Sequence, residues 1–277
     1  NKIEVSNDKE FNPSQLSKYL KQNEGLAWSP FMIVYNWSDG SGSGWDRFLR
    51  RIGKAPVVYD PDMVDSSIEN ITNHLEYLGY YGSSVNSEIS VKKKRVTVTY
   101  DVHLGSRFPI SDITYVLPKR GEFRQDFLRD TAELGITKAD YLSQAILETL
   151  SETSSARMRN LGYFDFSKNN YFFEADTLSI PDSAKLELII NEYTRNESSK
   201  DAEPIRRYYI GNVDISYPKS LKIKEKILTS LNTVKPGEVY SEDVVNKTYS
   251  RLSELRLFSS VNIGMTPRDT NLVDCSI

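Results

Sequence analysis

At 277 residues and a formal net charge of −3, the chain lacks the basic excess expected of a protein whose main ligand is nucleic acid. Its 39% hydrophobic and 11% aromatic content is that of a folded protein, not a disordered one. The single cysteine, Cys275, excludes an intramolecular disulfide and a cysteine-rich zinc site. No apolar run approaches the ~18 residues of a membrane-spanning helix.

A strand is expected at residues 3–6, after which Asn12 caps a helix with Pro13 at its first position and Leu16, Tyr19 and Leu20 on its inner face. The next helix has the clearest pattern. Asp60 caps it, Pro61 follows, and Val64, Ile68, Ile71, Leu75 and Leu78 fall at i, i+4, i+7, i+11 and i+14, one continuous apolar stripe. After a Tyr80-Tyr81 turn come strands near 85–91 and 96–104. The second sets Val96, Val98, Tyr100, Val102 and Leu104 on one face, the period of a half-buried strand.

The same grammar returns twice. A strand at 110–117 leads to a helix marked by Phe123, Phe127 and Leu128 and closed by Gly135. Thr137 with Asp140 reads as a capping box opening a long helix through Leu142, Ile146 and Leu150 to Leu161, and a hairpin follows at 165–173 and 184–192. The third round has a strand at 210–217 and a helix carrying Ile223, Ile227, Leu228 and Leu231. After a Pro236-Gly237 turn comes a helix carrying Val245, Tyr249, Leu252 and Leu255, then a hairpin at 261–266 and 272–277. The chain thus opens and stops in strand-like segments, so both ends read as boundaries within a longer protein.

Each round is β-α-α-β-β, and each second helix exits into an aromatic-tipped turn: Leu78-Gly79-Tyr80-Tyr81, Leu161-Gly162-Tyr163-Phe164 and Leu255-Arg256-Leu257-Phe258. The spacing is 83 residues from Tyr81 to Phe164 and 94 from Phe164 to Phe258, a period of small tandem domains and not of a solenoid. The expected domains are 1–105, 106–196 and 204–277, with the polar 196–203 stretch before Pro204 as linker. From Ile3 to Tyr81 is 78 residues, against 51 from Ile113 to Phe164 and 45 from Val213 to Phe258. The first domain therefore carries an insertion at about 25–56. All three tryptophans, Trp28, Trp37 and Trp45, sit there beside a Gly/Ser loop at 39–44 and a short basic helix around 47–52. Such an insert is either a private mini-core or a partner surface.

Chemistry does not emerge from the side chains. His74 and His103 join no nucleophile, and no acid–base pair or metal cluster is visible, so neither enzyme activity nor a cofactor is expected. Asp60-x-Asp62-x-x-Asp65 invites a calcium reading, but an EF-hand loop needs Gly and Glu where this chain has Asp65 and Ile71. Gly40-x-Gly42-x-Gly44 lacks the Lys-Ser/Thr of a phosphate loop. Lys92-Lys93-Lys94-Arg95 falls where the first hairpin turns.

Tandem β-α-α-β-β units with these helix exits resemble polypeptide-transport-associated (POTRA) domains. Leu104-Gly105 followed by Phe108-Pro109-Ile110-Ser111-Asp112-Ile113 resembles the junction between two such domains. Tyr209-Ile210-Gly211-Asn212-Val213-Asp214-Ile215 resembles the first strand of a membrane-proximal copy. Pro236-Gly237-Glu238-Val239-Tyr240-Ser241, followed by the run from Leu252 to Val261, resembles a signature of the BamA/TamA superfamily. The resemblance implies an α+β chain of three tandem POTRA domains, each a three-stranded mixed sheet covered by two helices, with the third truncated at its C-terminus. Three copies match a TamA-like arrangement.

It further implies a periplasmic region attached to the outer membrane through a C-terminal β-barrel outside this chain. The implied partners are unfolded outer-membrane β-barrel precursors, periplasmic or inner-membrane accessory proteins, and the barrel itself. Two alternatives stand beside it: the POTRA arm of a two-partner secretion pore, and a non-barrel periplasmic scaffold that recruits partner proteins. In this fold the first hairpin strand lies at a sheet edge, where an extended client adds as a further strand by β-augmentation. The candidate client-binding positions are Val85, Ser87 and Ile89 in the first domain, Phe164, Phe166, Tyr171 and Phe173 in the second, and Val261 and Ile263 in the third. The aromatic positions equally suit packing beneath the helices. Trp28, Trp37 and Trp45 form the candidate partner surface.

Overall fold

A computed structural model describes the chain except for residues 23–29, 54, 56, 93–94, 120, 132–133, 139, 193–203, 219–222 and 269–270. Two compact units divide it, Asn1–Arg107 and Phe108–Ile277.

Among its described residues the first unit holds three α-helices, α1 (Pro30–Asn36), α2 (Gly44–Ile52) and α3 (Pro61–Tyr77). Its sheet has strands β1 (Lys2–Val5), β2 (Ser84–Lys92) and β3 (Arg95–His103) in the order β1-β3-β2, with β1 parallel and β2 antiparallel to the central strand. The alternation read from the sequence is the buried face of β3, where Val98, Tyr100 and Val102 are all at most 3% exposed. Val64, Ile71 and Leu75 of α3 and Leu16 close over it. Asp60 caps α3 through the Asp62 amide at 3.0 Å, and Pro61 sits where a helix has no use for an N–H. Asn12 also caps as expected, at 3.0 Å from the Ser14 amide. The element it opens, Pro13–Tyr19, is however a 3-10 helix and not the α-helix expected. Its turns close over three residues, with Gln15 N donating to the Asn12 carbonyl and Leu20 N to the Ser17 carbonyl.

The second unit carries two sheets. In one, β4 (Ile110–Val116), β5 (Tyr171–Asp176) and β6 (Ala184–Ile190) take the order β4-β6-β5 under α4 (Phe123–Asp130) and α5 (Gln144–Asn160). The other has β7 (Tyr209–Asp214), β8 (Gly264–Pro267) and β9 (Leu272–Ser276) in the order β7-β9-β8, with α6 (Glu225–Leu231) and α7 (Glu242–Glu254). The first strand of each sheet is again parallel to the central one and the hairpin antiparallel. All three sheets are thus three-stranded, mixed and identically ordered, as the repeat requires.

Several boundaries differ from the sequence reading: β7 stops at Asp214 and not at 217, and α6 starts at Glu225 and leaves out Ile223. Ser143, not Thr137, caps α5, its Oγ accepting from the Ile146 amide at 3.3 Å. The Asp140 carboxylate is committed to the Thr137 amide (2.6 Å) and hydroxyl (2.8 Å), which closes a separate turn ahead of the helix. Strand β5 starts at Tyr171 and not at 165, because Ser167 and Asn170 form a reciprocal capping box around a 3-10 turn. Strand β8 starts at Gly264 and not at 261, since the ladder with the five-residue β9 stops at the Gly264–Ser276 pair.

Candidate functional site

The outermost hairpin strands β2, β5 and β8 each pair with the central strand of their sheet. An edge strand presents backbone N–H and C=O groups to an added strand in proportion to its length. β2 has nine residues, β5 six and β8 four, so β2 is the most extended template.

Along the helix side of β2, Val85 is buried and Ser87 half-buried, whereas Ile89 is 50% and Val91 66% exposed. Register places Ile89 opposite Val98 and Val91 opposite Val96, itself 40% exposed. Helical cover therefore gives out toward the hairpin tip and leaves an apolar row beside the free edge.

The second sheet distributes its aromatics differently from the sequence reading. Phe166 and Tyr171 are core residues, 2% and 7% exposed, and the Tyr171 hydroxyl is bonded to Ser154 Oγ at 2.6 Å. Phe173 is half-buried against the same core and stacks on Tyr171. Phe164 lies outside the edge strand and packs edge-on against Tyr208 and Tyr240, with centroids 5.6 and 5.0 Å away. The aromatic that does face outward on β5 is Phe172, 52% exposed. It lies across the sheet from Ile189 and Val116 in one row. Val261 and Ile263 are half-buried and precede β8, with Ile263 against the third core.

In the insertion, Trp28 lies outside the described residues. Trp37 and Trp45 are 70% and 69% exposed, so these two rings do not build a private mini-core. What organises the insert is Asp46, 3% exposed. Its carboxylate accepts from the Ser38 hydroxyl and from the Gly40 and Gly42 amides at 3.1 Å each, and Arg50 stands 3.4 Å away. The Ser38 bond, followed by the two amides and Arg50, holds the Asp46 carboxyl below the usual carboxylate range. Ser43 caps α2 through the Asp46 amide.

A polar joint inside the second unit has no counterpart in the sequence reading. Asp126 on α4, 7% exposed, accepts from the Tyr163 hydroxyl at 2.6 Å and is paired with Arg129 and with Arg207. Burial, then the bond to Asp126, pushes the Tyr163 phenol well above its ordinary value and keeps it a donor. Gly162 has φ +105°, and its carbonyl accepts from the Tyr208 amide at 2.8 Å. A Cβ there would stand 2.5 Å from Arg207 Cγ and 2.7 Å from Val239 Cγ1. Arg159 at the end of α5 pairs with Glu242 at 2.9 Å, and Asn160 accepts from Ser241 Oγ and the Asp243 amide. The repeated helix exit at Leu161–Phe164 was the visible signal. Its partners at 207, 208, 240 and 242 had none.

The POTRA family model, described as surface antigen variable number repeat, matches residues 1–105. Residues 1–105, the greater part of the first unit, are thus similar to a POTRA domain, and the other two sheets repeat its strand order.

Solved structures align with it at low identity. BamA POTRA3-5 of Haemophilus influenzae is 12% identical, with 99% of this chain and 93% of that chain covered and a TM-score of 0.49. POTRA1-3 of the periplasmic domain of Omp85 from Anabaena is 13% identical over 99% and 92%, with a TM-score of 0.30. CdiB from Acinetobacter baumannii is 11% identical over 69% of this chain and 28% of that one, with a TM-score of 0.25. No curated protein matches the chain. Among the described residues, no helix is long and apolar enough to cross a membrane.

Proposed function

We propose that this chain is the periplasmic client- and partner-docking arm of an outer-membrane β-barrel insertase or translocation assembly protein of the BamA/TamA superfamily. Its POTRA domains are 1–105, 106–196 and 204–277, and a barrel outside this chain holds them at the outer membrane. The client is an unfolded outer-membrane protein, which adds to a sheet edge as a further strand.

The observation that carries this reading is the nine-residue edge strand β2, whose apolar row at Ile89 and Val91 is left uncovered by the helices. Main-chain bonds supply affinity that is tolerant of client sequence, and alternate client side chains fall on that row. Phe172 and Phe173 on β5 offer a second, shorter edge.

A photo-crosslinker at Ser87 or Ile89, presented with an unfolded barrel precursor, tests it. Proline is then placed at alternate positions along Ser84–Lys92. One alternate set breaks the ladder with β3, and the other removes only outward donors and leaves the sheet intact. The reading expects the second set to abolish crosslinking while the far-UV circular dichroism is unchanged. Crosslinking that survives every outward proline removes β2 as the client edge.

A further inference from the structure

The helix α2 carries three kinds of surface. Asp46 and Leu49 point inward, at 3% and 5% exposure. Trp45, Phe48 and Ile52, at i, i+3 and i+7, form a stripe that is 69%, 49% and 45% exposed, and the two rings stack at 5.4 Å. Arg47 and Arg51, one turn apart and exposed, form the third surface and enter no ion pair among the described residues. At 100° per residue Arg51 lies beside Phe48, so the basic and apolar surfaces adjoin on the outward side. Ile33 on α1 and Trp37, the residue just after it, are exposed one turn apart as well.

From this arrangement we propose that the insertion of the first domain is a membrane-surface anchor, with the α2 stripe seated among the acyl-chain ends of an anionic bilayer and Arg47 and Arg51 on its headgroups. Three observations favour a bilayer. The stripe is a convex ridge on a nine-residue helix, which lipid reshapes around but a protein partner meets only with a matching groove. Trp and Phe flanked by Arg is the side-chain set of a helix lying in the interfacial plane. The whole chain carries a net charge of −3, whereas α2 contributes three arginines against the single buried Asp46. Complementarity to an anionic surface is therefore local to this helix. The buried Asp46 cluster and the Ser43 cap hold the helix ready-formed, so docking does not have to order it.

Tryptophan emission reads this region alone, because Trp28, Trp37 and Trp45 are the only tryptophans of the chain. The full chain is titrated with phosphatidylcholine vesicles with and without about one-third phosphatidylglycerol. The expected result is a blue shift on the anionic vesicles, quenching by brominated acyl chains, and weaker binding in high salt. Arg47→Gln with Arg51→Gln lowers the affinity about 25-fold, roughly fivefold per charge. Trp45→Ser with Phe48→Ser removes the shift while far-UV circular dichroism is unchanged. No shift on anionic vesicles, or equal binding to neutral ones, overturns the proposal. Self-association that is lost in the Trp45→Ser/Phe48→Ser variant, without vesicle binding in the parent chain, assigns the stripe to a second copy and overturns it too.

Discussion

Tyr163 and Arg207 meet on the same carboxylate oxygen, Oδ2 of Asp126, the phenol donating at 2.6 Å and the guanidinium closing from a segment 81 residues further along the chain than Asp126. Asp126 is thereby shared between the second sheet's helical cover and the strand-leading segment of the third. Arg207→Met leaves that buried carboxylate with Tyr163 and Arg129 only. The expected cost is about 2–3 kcal/mol, below the ~3–5 of a fully buried pair because the Arg207 side chain is 26% exposed. Asp126→Asn combined with Arg207→Met costs less than the two single changes added together, since the charge that needed a partner is gone. Urea unfolding followed by far-UV circular dichroism measures both.

Gly162 and Gly82 make a contrasting pair. Both have positive φ, +105° and +74°, yet a Cβ at Gly82 meets nothing within 4 Å, while one at Gly162 runs into Arg207 and Val239. Gly82→Ala should therefore cost only the backbone strain, about 1 kcal/mol. Gly162→Ala adds a steric clash with the joint and should cost about 2–4 kcal/mol. Hydrogen exchange locates the effect. Faster exchange at the Tyr208 amide, which bonds the Gly162 carbonyl, is expected in Gly162→Ala and not in Gly82→Ala.

Most of the fold is written in short-range patterns. The period-2 run from Val98 to Leu104 and the stripe from Val64 to Leu75 each name their own buried face, and the repeated helix exit anticipates three sheets of one strand order. What escaped is tertiary. The Asp126–Tyr163 bond spans 37 residues, and nothing local in the sequence distinguishes Asp126 from Asp130 on the same helix. The aromatic cluster from Phe164 to Phe173 was ambiguous for another reason. A strand starting at 165 and one starting at Tyr171 differ in which rings are covered, and the Ser167–Asn170 capping box that decides between them is a polar signal inside an aromatic run. The exposure of Trp37 and Trp45 was open on the sequence alone, because large apolar rings serve a mini-core and a contact surface equally well.

His74 stacks on Tyr19 with ring centroids 4.0 Å apart. Burial, and secondarily the Lys18 charge, lowers its pKa below the ordinary 6.5. Between the folded-state value and 6.5 the unfolded chain therefore binds more protons than the folded one, and stability rises with pH. Its contribution is complete above about 6.5 and is lost as pH falls through the lower folded-state value. Melting of the first unit at pH 5 and at pH 7.5 should differ less in His74→Gln than in the parent chain. An identical pH difference in both would place the dependence on the carboxylates.

The two candidate starts of α5 are separable by substitution. Ser143 accepts from the Ile146 amide, an N-terminal helix donor with no partner inside the helix, at 3.3 Å. Ser143→Ala should cost about 1 kcal/mol, the ordinary loss of a cap, and a little more here because Ser143 is only 7% exposed. Thr137→Ala removes one exposed hydroxyl bond to Asp140 and leaves the amide bond in place, so it should cost no more than about 0.5 kcal/mol. Thermal melts of the two variants order the effects. A larger loss in Thr137→Ala would return the helix start to Thr137.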